Sequence, residues 1–380
     1  MNENKYYPKN YHDSRQRFIH CAKSLPTPSH IGQWEIPGQI DDDLFVDHIW
    51  LPPTAEAKKI FVITSGIHGS ECYAGSAIQQ MLMQELLPRI DRQNTGVFIV
   101  HAMNPYGFKH HERCTEAMVN LNRNFSVSGD MYHLQNEDSF RLNERFIPKE
   151  PVQSRRSFLL QSLNMQGGKP FFDTVSMDEL VKGTARGQFE TPDHLEYGGR
   201  ALEPQSRFFI DALGELLPDF EDVIGLDLHT GLGDRGRLHM LAGGEPGQLN
   251  ESLFNELFDP RQDQDFYVFT PASTEGFYET YGGIDMAFTE VAKKDQRVCA
   301  ITMEFGTLGH SLEAQIEGMN SFFLHHQGRF HGYANPQLEA EVMAANFDRC
   351  YPNDGQWKIA VMKAARGTFE RIFGRAGCLR

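Results

Sequence analysis

Ile60-Phe61-Val62-Ile63 and Val97-Phe98-Ile99-Val100 are short, uninterrupted apolar runs, and each gives way to turn residues within a few positions. Lys59 to Thr64 ends in Ser65-Gly66, and Val97 to Ala102 ends in Asn104-Pro105-Tyr106-Gly107. Runs of this length without polar alternation read as strands buried on both faces. Val223 to Leu228, ending at His229, reads the same way, and Val298 to Met303, ending at Glu304, repeats it. Helical spacing separates them. Ala74, Ala77, Ile78, Met81, Leu82 and Leu86 share one face, and Pro88 closes the segment. Residues 205–217 suggest a second helix, and Trp357, Val361, Ala364, Phe369 and Ile372 give residues 355–373 an apolar side. This alternation predicts an α/β fold with a mixed, largely parallel central sheet flanked by helices. Open sheets of that kind hold their ligands beyond the C-terminal strand ends, where His229 and Glu304 fall.

Residues 11–25 predict a helix with Asp13 or Ser14 as N-cap, and Trp34 to Leu51 predicts a hairpin around Asp41-Asp42-Asp43. Residues 126–200 are richer in polar residues and proline, with weak periodicity. The expected organisation is one catalytic domain over residues 1–380, with an N-terminal helix and hairpin in 1–55 and a packed insertion at 126–200. The net charge of −15 argues against nucleic acid and against an anionic membrane surface as partners, since both require basic patches. An acidic small molecule stays compatible, because a few local arginines suffice for a carboxylate. The first residues lack the apolar core of a signal peptide, no run is long enough to span a bilayer, and the six cysteines are scattered singly. A cytoplasmic location with reduced thiols is the expectation.

Chemistry concentrates in Gly66-Ile67-His68-Gly69-Ser70-Glu71. An imidazole and a carboxylate three residues apart, in a tight turn entering a helix, can reach one ion. A third ligand must come from far along the chain, and strand-end His229 is the best candidate. Two histidines and a glutamate leave a position for water, as a catalytic zinc site requires. Nitrogen and oxygen ligands without thiolate suit one Zn²⁺ ion, with manganese, cobalt and iron as alternatives. His101, His110 and His111 read as solvated or core histidines rather than a second metal site. Cys72 has no partner histidine in view and reads as a small buried thiol.

Further motifs follow in order: Asn104-Pro105-Tyr106-Gly107-Phe108, Arg113, Asn122-Arg123-Asn124-Phe125, Asp227-Leu228-His229-Thr230, Tyr278-Glu279-Thr280-Tyr281-Gly282-Gly283-Ile284-Asp285 and Thr302-Met303-Glu304-Phe305. Together with His68 and Glu71 this series resembles the zinc carboxypeptidase superfamily, which includes succinylglutamate desuccinylase and aspartoacylase. Gly187-Gln188 and Tyr197-Gly198-Gly199-Arg200 are similar to a bacterial branch of it. The resemblance implies a zinc hydrolase cleaving an amide bond beside a free carboxylate, in a short peptide or an N-acyl amino acid. It implies His68, Glu71 and His229 as metal ligands and Glu304 as general base. Arg113 would polarise the scissile carbonyl, Asn122 and Arg123 would hold the substrate carboxylate, and Tyr278 would close over it. Ile284 would floor the side-chain pocket. Asp227 shares a strand face with His229, as a second contact to that ligand or as a structural hydrogen-bonding residue. One departure stands out: Asn120 occupies the place of an aspartate that usually hydrogen-bonds the first histidine. An amide can orient His68 but lends it no charge. A metal- or ligand-binding protein with weak catalysis is the alternative that this departure supports.

Overall fold

One eight-stranded sheet organises the chain, in the order β1-β2-β4-β3-β5-β8-β6-β7. Its strands are β1 (His30–Glu35), β2 (Phe45–Leu51), β3 (Lys59–Ser65), β4 (Thr95–His101), β5 (Asp222–Gly231), β6 (Leu238–Ala242), β7 (Tyr267–Pro271) and β8 (Arg297–Gly306). The computed structural model describes residues 3–26, 29–157, 177–242, 249–271 and 280–380. Four central strands run parallel through the β4–β3, β3–β5 and β5–β8 pairs, whereas β2 and β6 join antiparallel. The sheet is mixed and mostly parallel, as the apolar runs predict.

Strand β3 explains why the central strands are built mostly from apolar residues. Phe61 and Ile63 enter one core cluster, Ile60 and Val62 the other, and all four are fully buried. Helices cover both faces. Tyr11–Lys23, Cys72–Met81 and Gly355–Arg375 pack on the first, while Pro204–Leu216 and Ile284–Val291 pack on the second. Trp357 anchors the last long helix by donating its indole N–H to Gly306 O at 2.8 Å.

Two local expectations shift. The first long helix is capped by Asn10, whose side chain accepts the Asp13 N–H at 2.9 Å. Asp13 instead accepts from Lys9 N and pairs with Arg17, which removes it from capping. Asn104-Pro105-Tyr106-Gly107 is not a bare turn but the capped start of the helix Pro105–His110. The predicted hairpin forms, with Trp34 opposite Val46. Within 126–200, Glu137–Phe146 and Met177–Thr184 are helices, and Leu142, Phe146, Leu180 and Leu195 share a small core of their own with Phe323. Among the described residues no helix is long and apolar enough to cross a membrane.

Candidate metal centre

The centre is assembled from the ends of β3, β5 and β8. After β3 the chain reverses at Gly66, whose φ of +70° belongs to the region that glycine enters without strain. That turn is pinned to the segment after β4 by Met103 N–H to Ser65 O and Asn104 N–H to Gly66 O, at 3.0 and 2.8 Å. Gly69 follows, and a Cβ there would lie 1.9 Å from the Gly107 carbonyl carbon. Backbone cannot yield as a flexible side chain can. Gly69→Ala is therefore expected to destabilise the protein by ~3 kcal/mol, the upper end of overpacking costs. It should also disturb the flanking His68 and Glu71. Thermal melts and metal content check this, and a wild-type melting temperature would contradict it.

His68, Glu71 and His229 are buried, and one ligand atom from each lies within 4.8 Å of the others. His68 Nδ1 and His229 Nδ1 both face the Glu71 carboxylate, at 2.9 and 3.1 Å from Oε1 and Oε2. Thr230 N–H donates to Oε2 at 3.0 Å and fixes that carboxylate. Each imidazole is held from behind. His68 Nε2 is 3.1 Å from Asn120 Oδ1, and His229 Nε2 meets Asp227 Oδ2. Asp227 is set in turn by the Thr64 hydroxyl at 2.5 Å. This is the outer-contact pattern that orients histidine ligands.

The donor set fits a divalent cation. Asn120 Oδ1 also accepts Asn122 N–H at 2.9 Å, while its Nδ2 donates to Glu196. Only that amide orientation satisfies both sides, so His68 carries its proton on Nε2 and turns an Nδ1 lone pair toward Glu71. Burial, aided by the positive charge of Arg113, keeps His68 neutral, with its pKa lowered to about 4. A lone pair and a carboxylate oxygen at 2.9 Å repel unless a cation lies between them. Burial opposes a charged His229, but Asp227 and Glu71 outweigh it and raise that pKa, so a metal ion would displace a proton there. No thiolate intrudes, since Cys72 faces Ser65 and burial pushes its pKa up to about 12. Two imidazoles and a carboxylate with fixed outer partners suit zinc.

Glu304 stands opposite His229 in the β5–β8 register and is 7% exposed, with Oε1 accepting Leu232 N–H at 3.0 Å. Burial and then the Glu71 charge push its carboxyl up to about 7. Arg113 reaches Glu71 Oε1 with Nη1 at 3.4 Å and gives Nε to Glu196 Oε1 at 3.0 Å. Arg123 is 2% exposed. It donates to Ala185 O from Nε at 3.1 Å and to Asn122 O from Nη1 at 2.6 Å, and its Nη2 lies 3.2 Å from Glu196. Asn122 accepts the Ile284 N–H at 3.0 Å, which sets buried Ile284 beside Gly225, Asp227 and Phe288. Tyr278 lies outside the described residues.

Glu196 escapes a reading by motif: it directly precedes Tyr197-Gly198-Gly199-Arg200, but that motif gives it no role. The only signal was the missing charge at Asn120. A second group, Asp234, His239 and His310, also gathers ligand atoms within 4.8 Å, but Asp234 and His310 are exposed. His239 Nε2 is 3.1 Å from the Asp234 N–H, which occupies its lone pair. The three histidines that the sequence raised as a second site have protein partners. His101 meets Ser14 and Gln79, His110 meets Asp41, and His111 meets Tyr73.

A family model described as "Protein of unknown function (DUF2817)" matches residues 7–364. A comparison with curated proteins gave no match. Among solved structures, the chain is similar to a carboxypeptidase A from Helicoverpa armigera at 14% identity and TM-score 0.48, covering 90% of this chain and 74% of that one. It is similar to a succinylglutamate desuccinylase from Silicibacter sp. at 14% identity and TM-score 0.42, covering 94% and 69%. It is also similar to an aspartoacylase family protein from Mesorhizobium loti at 16% identity and TM-score 0.37, covering 79% and 68%.

Proposed function

Because the chain belongs to the family of unknown function DUF2817, we propose a function from its own site: a zinc-dependent hydrolase that cleaves an amide bond beside a free carboxylate. The observation that carries this reading is the convergence of His68 Nδ1 and His229 Nδ1 on one Glu71 carboxylate, each ring tied at its other nitrogen. His68, Glu71 and His229 would hold one ion. When bound, zinc supplies Lewis acidity to water and to a carbonyl.

The remaining steps belong to the chain's own side chains. Glu304, one strand over from His229, takes a proton from the attacking water and returns it to the leaving nitrogen. Arg113 directs its guanidinium at the oxyanion that develops on the scissile carbonyl. Asn122 and Arg123 serve the substrate carboxylate, which must share Arg123 with Glu196. Ile284 gives the apolar floor, and Tyr278 would close over the substrate. A peptide C-terminus and an N-acyl amino acid both satisfy these requirements.

Purified protein is expected to carry about one divalent ion per chain and to hydrolyse members of a panel of dipeptides and N-acyl amino acids. Chelation should abolish that activity and zinc should restore it. Amidated members of the panel should react more slowly than those with a free carboxylate. Metal binding with no hydrolysis of any member would instead favour the ligand-binding reading that Asn120 suggests.

A further inference from the structure

We infer that Glu196, acting through the side-chain amide of Asn120, supplies the negative charge that orients His68 as a metal ligand. This rests on the metal-centre reading and goes one layer outward from it.

Two hydrogen bonds in series carry the inference. His68 Nε2–H donates to Asn120 Oδ1 at 3.1 Å, and Asn120 Nδ2–H donates to a Glu196 carboxylate oxygen. The amide cannot rotate away, because Oδ1 also accepts Asn122 N–H and the Asn120 backbone N–H is held by Tyr197 O at 2.7 Å. An amide flanked by a donor and a carboxylate is polarised along the chain, which strengthens Oδ1 as an acceptor. The carboxylate missing at position 120 is thus present one residue further out, on the far side of the amide.

Glu196 is held for that position. It is buried, and its φ of +57° lies in the left-handed region that glutamate rarely enters. Arg113 Nε and Nη2 reach it at 3.0 and 3.4 Å, and Arg123 Nη2 at 3.2 Å. Burial opposes its ionisation, yet the two guanidinium groups prevail and hold its carboxyl at about 2. The charge therefore persists across the working pH range. A simpler role exists, in which Glu196 does no more than neutralise two buried arginines. The two roles differ in what His68 feels.

The test compares full-length wild type, Glu196→Gln and the swap Asn120→Asp/Glu196→Gln by chelator competition for zinc and by the visible spectrum of the cobalt-loaded protein. Glu196→Gln keeps the shape, and it is expected to weaken zinc binding ~10–100-fold, the range for loss of an outer partner. The swap returns the carboxylate directly to His68 and should recover most of that loss. A folded Glu196→Gln protein with wild-type zinc affinity and an unchanged cobalt spectrum would overturn the inference and leave only neutralisation. If Glu196→Gln does not fold, Glu196→Asp replaces it, keeping the charge beside the arginines on a side chain one methylene too short for Asn120. It should bind zinc ~10-fold more weakly, and equal affinity would overturn the inference. A wild type that binds no divalent ion would end the metal-centre reading as well, so the two failures are distinguishable.

Discussion

Glu304→Gln is expected to lower kcat/KM by ~10²–10⁴-fold, the usual worth of a positioned acid–base group, while metal content and melting temperature stay near wild type. The substitution is nearly isosteric. A glutamine oxygen can still accept the Leu232 N–H that now goes to Oε1 at 3.0 Å, so the end of β8 need not move. What disappears is the ability to take a proton. Burial and the neighbouring Glu71 charge set the carboxyl to about 7, where a base is half ionised at neutrality. The rate should rise with pH as the carboxylate forms, giving an acid limb at about 7, or lower once a cation at His68, Glu71 and His229 favours the ionised form. Glu304→Gln should lose that limb along with the rate. Unchanged turnover in an active, metal-loaded preparation would remove Glu304 from the mechanism.

Arg123→Met is expected to cost ~3 kcal/mol of stability, the low end for breaking a buried ion pair. Arg123 is one of the largest fully buried side chains, and its guanidinium bonds Ala185 O and Asn122 O as well as facing Glu196. Methionine would fill the volume but leave those carbonyls without a donor and Glu196 with Arg113 as its one guanidinium partner. The loss should depend on pH in a defined direction. Glu196 has its folded pKa lowered to about 2, so its ion pairs stabilise the fold fully above the ordinary carboxylate range and lose that contribution as pH falls toward 2. The gap between wild type and variant, read from urea midpoints, should be widest near pH 7 and shrink toward pH 3. Equal midpoints at pH 7 would leave the buried contacts of Arg123 energetically idle, whatever the loss on free-carboxylate substrates.

The apolar runs carried most of the architecture. A strand buried on both faces carries a run of apolar residues instead of an alternation, so β3, β4, β5 and β8 announce themselves within a few residues of their ends. Strands β6 and β7 did not. Leu238–Ala242 carries His239 in a short run, and Tyr267–Pro271 forms an edge of the sheet, where one side needs no apolar cover. The caps were legible by residue type but not by position: asparagine caps the first long helix, three residues before the aspartate that the local pattern favours.

That His68, Glu71, His229 and Glu304 come together was legible in the sequence, because parallel strands deliver their last residues to one edge. What lies behind those residues was not. Asp227 sits two positions from His229, so its role is a matter of strand geometry, but Asn120 meets Glu196 across 76 residues of chain. The order of apolar and polar residues along a chain fixes which segments are strands, which are helices and which ends face one another. The pairing of a buried amide with a carboxylate 76 residues away depends on how the intervening chain packs, and only the tertiary structure decides that. Burial then acts on the result: a charge removed from water must find partners, and the arginines that supply them for Glu196 come from one earlier segment, at positions 113 and 123.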